Sequence, residues 1–136
     1  MEKLLSNLKI TNDNENLISL TLFGSYNTKY WFDGKSDIDI LALIKKNDFN
    51  VEFEIENKYR EVLQKYFNYD DIHFTFIGLN SFDTVFADIY IDYKDKLIFN
   101  IDLHYDYLMY ISKFNRVNEN LIKLVREDWE SKYGIL

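Results

Sequence analysis

The chain has 136 residues, 47% of them hydrophobic and 29% charged, with a formal net charge of −7 at pH 7. That length predicts one domain, the balance of apolar and charged residues excludes a disordered chain, and the excess of acid argues against a protein that neutralises many phosphates along a nucleic acid. There is no cysteine, which removes disulfides, thiolate nucleophiles and Cys-ligated zinc and leaves oxygen-ligated metals as the main metal option.

In chain order, residues Met1 to Ile10 pattern as a short helix with Leu4, Leu5 and Leu8 on one stripe, followed by the polar turn TNDNEN. Leu17 to Phe23 predicts a strand in which Leu17, Ser19, Thr21 and Phe23 alternate with Ile18, Leu20 and Leu22, and Gly24 ends it. Ser25 to Trp31 is expected to be a helical turn or a loop. FDGKS makes a turn before a second strand, Asp37 to Ile44. From Val51 to Tyr66, apolar residues recur at intervals of three and four, the pattern of an amphipathic helix that covers a sheet. Asp71 to Gly78 predicts a third strand with Asp71, His73 and Thr75 on one face and Ile72, Phe74 and Phe76 on the other. A further helix groups Phe82, Val85, Phe86 and Ile89, with Ser81 and Asp83 as candidate caps. Lys94 to Asp102 reads as a turn and a short strand, and a C-terminal helical segment runs from about Tyr105. The order describes an α/β fold, a mixed β-sheet with helices packed against it. No run of eighteen apolar residues and no secretory leader pattern is present, so the expectation is a cytoplasmic protein that does not cross a membrane.

Asp37 and Asp39 alternate with Ile38 and Ile40, so in a strand both carboxylates point the same way. Like charges so close repel, and the arrangement makes chemical sense around a divalent cation, because magnesium takes carboxylate oxygens together with substrate phosphates. Gly24 permits a tight turn and close approach of backbone to a ligand, and if Ser25 opens a helix, its free amides and positive dipole end suit a phosphate. A phosphate cradle at Gly24 and Ser25 beside a carboxylate pair points to phosphoryl or nucleotidyl transfer. The histidines, His73 and His104, are too few for a His-rich metal site. Lys29, Lys35 and Lys45 flank these motifs as solvated lysines or phosphate partners, and Tyr26, Tyr30 and Trp31 are candidates to stack on a base, with packing the expectation in a chain so rich in aromatics.

LFGS, then eleven residues, then DID within SDIDILALI resembles the signature of the DNA polymerase beta-like nucleotidyltransferase superfamily. Its small bacterial branch is the most similar, the minimal nucleotidyltransferases, which include MntA-type antitoxins paired with HEPN toxins. The resemblance implies a nucleotidyltransferase-like sheet, Gly24 and Ser25 holding nucleotide phosphates, and Asp37 and Asp39 holding Mg²⁺ or Mn²⁺. It implies a nucleoside triphosphate, ATP by preference, as co-substrate, a hydroxyl acceptor, and a helical HEPN-type toxin as partner, with no long nucleic acid.

Active members of that superfamily carry a third carboxylate on a later strand, and here the matching polar positions are His73 and Thr75. Asp71 lies one step earlier on the same face, roughly 7 Å from His73 by strand geometry. Either Asp71 substitutes with a shifted register, or His73 accepts the proton, or the domain binds nucleotide and transfers little. Three functions follow: a transferase, acting alone or as the antitoxin of a toxin-antitoxin pair; a weak or inactive domain that neutralises a partner by binding; and a small-molecule (antibiotic) nucleotidyltransferase. The acceptor, the base and the oligomeric state are not encoded in these motifs.

Overall fold

The computed structural model describes residues 3–81 and 84–116. Its strands are β1 (Leu17–Phe23), β2 (Ile38–Ile44), β3 (Ile72–Gly78) and β4 (Lys96–Ile98), in the order β3-β2-β1-β4. β1 runs antiparallel to both β2 and β4, whereas β3 runs parallel to β2, so the sheet is mixed. A parallel pair needs a crossover, and α1 (Phe49–Phe67) supplies it.

α1 begins where the Asp48 carboxylate accepts the amides of Asn50 and Val51, and ends at Asn68, which sits in the left-handed region at φ 52°. Its buried residues Ile55, Tyr59, Leu63 and Phe67 fall every fourth position and pack on Leu20, Leu22, Ile38 and Ile40 of the sheet. The opposite sheet face carries Ile18, Leu41, Leu43 and Ile77. It is covered by Ala87 and Tyr90 of α2 (Val85–Asp92) and by Tyr107 and Ile111 of α3, the helix that spans residues 101–116. β2 is therefore apolar on both faces over Ile40–Ile44, and its charges are displaced to its start.

Three local expectations change. The N-terminal segment is not a helix over its length; a 3-10 turn spans Leu5–Asn7, because the amides of Leu5 and Ser6 donate to the Asp95 carboxylate at 2.7 and 2.8 Å and draw fully buried Leu5 into the core. The alternation of β1 is broken by a bulge between Leu17 and Ser19, which turns Ile18 and Ser19 to the same face. Of the two forms expected for Ser25 to Trp31 the structure has the loop, residues 24–30 forming successive turns and a bend with Asn27 at φ 65°. The residue before α2 is Thr84, which makes no side-chain cap, and Ser81 instead accepts the Tyr107 hydroxyl through its carbonyl; Asp83 and Phe82 lie outside the described residues, as does everything after residue 116.

Under α2 the second layer holds a polar network. Ser19 Oγ lies 2.9 Å from the Tyr90 hydroxyl, which lies 2.6 Å from His104 Nδ1. Lys96 Nζ donates to the carbonyls of Tyr90 and Tyr93 at 2.5 Å each, holding the last turn of α2, and stands 4.0 Å from the Tyr90 ring centre. His104 is thus a buried structural residue, and burial pulls its pKa down.

Candidate active site

Because β1 is antiparallel to β2 and β3 is parallel to it, the end of β1 and the starts of β2 and β3 meet at one end of the sheet. In register, Phe23 faces Asp39 and Asp39 faces His73. Gly24 follows Phe23 at φ 82°, where an L side chain is strained. A Cβ on Gly24 would also overlap Asp39 Oδ2 and stand 3.2 Å from the carboxyl carbon. The bare backbone of the turn thus lies directly against a carboxylate, the close approach for which a glycine is required.

Asp39 is partly buried, with 29% of its side chain exposed. Burial raises its pKa; His73 lowers it, and repulsion from Asp37 raises it further, so the two carboxylates sense each other. His73 is 63% exposed and places Nδ1 3.7 Å from Asp39 Oδ1, beyond hydrogen-bond distance. Among the described residues no three His, Asp or Glu side chains converge on a point that would enclose a cation.

Ser25 is half-buried beside Gly24, and its carbonyl accepts the amide and hydroxyl of Thr28 at 3.0 and 2.5 Å, closing the turn. With no helix following, a phosphate there would meet turn amides and the Ser25 hydroxyl, without a helix dipole. Asp71 precedes β3 and its carbonyl accepts the Ile38 amide at 2.8 Å, which fixes β3 against the start of β2. Asp71 shares a cavity of about 260 Å³ with Asp37, Asp70, His73 and Arg60. Arg60 escaped the sequence reading; it donates to the Ile72 carbonyl at 2.5 Å and pairs with Glu56 at 3.0 Å, and the visible signal was that i,i+4 spacing in α1. Lys45 does not flank the site: it follows Ile44 at the opposite end of β2, while Lys29 and Lys35 lie over Tyr30 and Phe32.

The family model described as Polymerase beta, Nucleotidyltransferase matches residues 7–104. The chain belongs to this nucleotidyltransferase family. The matched span contains all four strands, Gly24, Ser25, both aspartates and His73. No curated protein and no solved structure matches the chain at significant similarity. Membership of the nucleotidyltransferase family makes transfer chemistry the general expectation for the chain. Among the described residues no helix is long and apolar enough to cross a membrane.

Proposed function

We propose that the chain is a metal-dependent nucleotidyltransferase that moves a nucleotidyl group from ATP to a hydroxyl acceptor. The observation that carries this reading is the close approach of Gly24 to Asp39, which juxtaposes a bare turn backbone and a carboxylate. Asp37 and Asp39 would hold Mg²⁺ or Mn²⁺, ions commonly bound through one or two carboxylates with substrate phosphates and water completing the shell. Such an ion supplies charge neutralisation on the triphosphate when bound. Gly24 and Ser25 receive phosphate oxygens. The acceptor oxygen forms a bond to the α-phosphorus, the bond to the bridging oxygen breaks, and pyrophosphate leaves.

The acceptor's proton passes to the His73 imidazole, which stands opposite Asp39 where a third carboxylate is expected in active relatives. Asp71, which lines one cavity with Asp37 and His73, is the alternative carboxylate for that role. The test is transfer of labelled AMP to acceptor protein: labelling that persists in Asp37→Ala rejects the mechanism.

A second reading, favoured by the absence of a three-ligand cluster among the described residues, is an antitoxin that neutralises a helical HEPN-type toxin by binding alone. Protection of cells by the Asp37→Ala, Asp39→Ala double variant would select it, and loss of protection would select transfer.

A further inference from the structure

β3 lies at one edge of the sheet, and its bonds to β2 fix which of its backbone groups point outward. The Ile38 amide donates to the Asp71 carbonyl and the Leu79 amide to the Ile44 carbonyl, so in this parallel pair the odd-numbered residues of β3 turn their backbone groups toward β2. Ile72, Phe74, Phe76 and Gly78 turn theirs away. The carbonyls at the two ends of that row are taken, Ile72 by Arg60 and Gly78 by the Ser81 amide. Between them, the amides and carbonyls of Phe74 and Phe76 have no protein partner among the described residues. Proteins commonly shield such an edge with charges, a proline or a bulge. Ile72–Gly78 contains no Lys, Arg, Asp, Glu or Pro, and its register with β2 runs without interruption. The other edge, β4, is three residues long and begins with Lys96.

The flank of α1 above this edge is open as well. Arg60 reaches the Ile72 carbonyl and lies 5.4 Å from the Phe74 ring centre, which places its side of α1 over β3. Phe49, Phe53 and Glu56 fall on the same side at helical spacing. Phe49 and Phe53 stack at 6.3 Å and are 79% and 56% exposed, a large apolar surface beside unpaired backbone.

We propose that the chain forms a two-fold dimer in which β3 pairs antiparallel with β3 of a second copy, joining two four-stranded sheets into one. The symmetry of the open groups selects a second copy over a foreign strand. Phe74 and Phe76 are placed evenly about Thr75, so a two-fold axis there sets Phe74 opposite the partner's Phe76, and each such pair exchanges both of its N–H···O bonds. The same axis runs the two copies of α1 antiparallel on one face of the joined sheet, flank to flank, and covers Phe53. Each flank carries Glu56 paired with Arg60, so the surfaces brought together are neutral although each chain carries −7. In this register His73 faces the partner's Ile77, which sets the second copy beside the proposed site.

The test is analytical ultracentrifugation of the full chain over a range of concentrations, with hydrogen exchange read at the Phe74 and Phe76 amides. Wild type should become dimeric as concentration rises, and exchange at those two amides should slow in step. Thr75→Lys brings like charges together at the axis and Phe53→Ala removes the exposed ring, so each should weaken dimerisation by about fivefold or more. Phe53 stands outside the core, so its variant probes the interface in a folded chain. A chain that stays monomeric at every concentration would overturn the proposal. So would a dimer whose Phe74 and Phe76 amides exchange as fast as in the monomer, or dimerisation unchanged in either variant.

Discussion

Asp39 on β2 and His73 on β3 face each other in register, with Oδ1 and Nδ1 3.7 Å apart. A strand pair thus fixes an imidazole beside a carboxylate. If His73 is the proton acceptor, His73→Ala should lower the rate of nucleotidyl transfer by about 100-fold or more while leaving Mg·ATP affinity nearly unchanged. His73→Asp should retain much more of the rate than His73→Ala. Single-turnover kinetics on the two variants checks this, and equal rates in both would remove His73 from the reaction.

Gly24→Ala should cost stability and binding together. The positive φ alone disfavours a side chain by about 1–2 kcal/mol, and the new methyl would displace the Asp39 carboxylate. Chemical denaturation should show a loss of that size or larger, and Mg²⁺-dependent nucleotide binding should fall. Gly34 is also at positive φ, but nothing lies within 4 Å of a Cβ there, so Gly34→Ala should show the strain without the loss of binding.

Asp39 carries a raised pKa, first from burial and then from its neighbour Asp37, so its ionisation is harder in the folded protein than in the unfolded one. The folded state then binds more protons, and stability contributed by neutral Asp39 is lost as pH rises above the ordinary aspartate value of 3.8. Asp39→Asn should therefore melt higher than wild type near pH 7, with the difference vanishing below that value, provided no divalent cation is present. A lower melting temperature for Asp39→Asn at pH 7 would contradict the electrostatic account.

Lys96 tests the same linkage in the opposite layer. Burial, followed by repulsion from Lys94, brings its pKa down from 10.5 to about 8. Between those values the unfolded chain holds more protons, so wild type should gain stability relative to Lys96→Met as pH rises from about 8 toward 10.5. Denaturation midpoints of both proteins across that range check the sign.

Much of this was legible in the sequence because the strong signals were local. The strand limits of Leu17–Phe23 and the helix over Val51 to Tyr66 followed from periodicity, whereas β2 begins at Ile38 and leaves Asp37 just before the strand. The bulge at Ile18 was hidden because Leu17 and Ile18 are both apolar, so a shift in facing leaves no mark on the pattern. The 3-10 turn at Leu5–Asn7 depends on Asp95, ninety residues from Leu5. The opposition of Asp39 and His73 required the parallel register of β2 and β3, which is not a property of any one segment.

The most direct test of the central claim is calorimetry of ATP with and without Mg²⁺, on wild type and on Asp37→Ala. The account predicts binding to wild type that depends on Mg²⁺ and is lost in the variant. ATP binding that is indifferent to Mg²⁺ and to Asp37, or no binding to wild type at all, would contradict it.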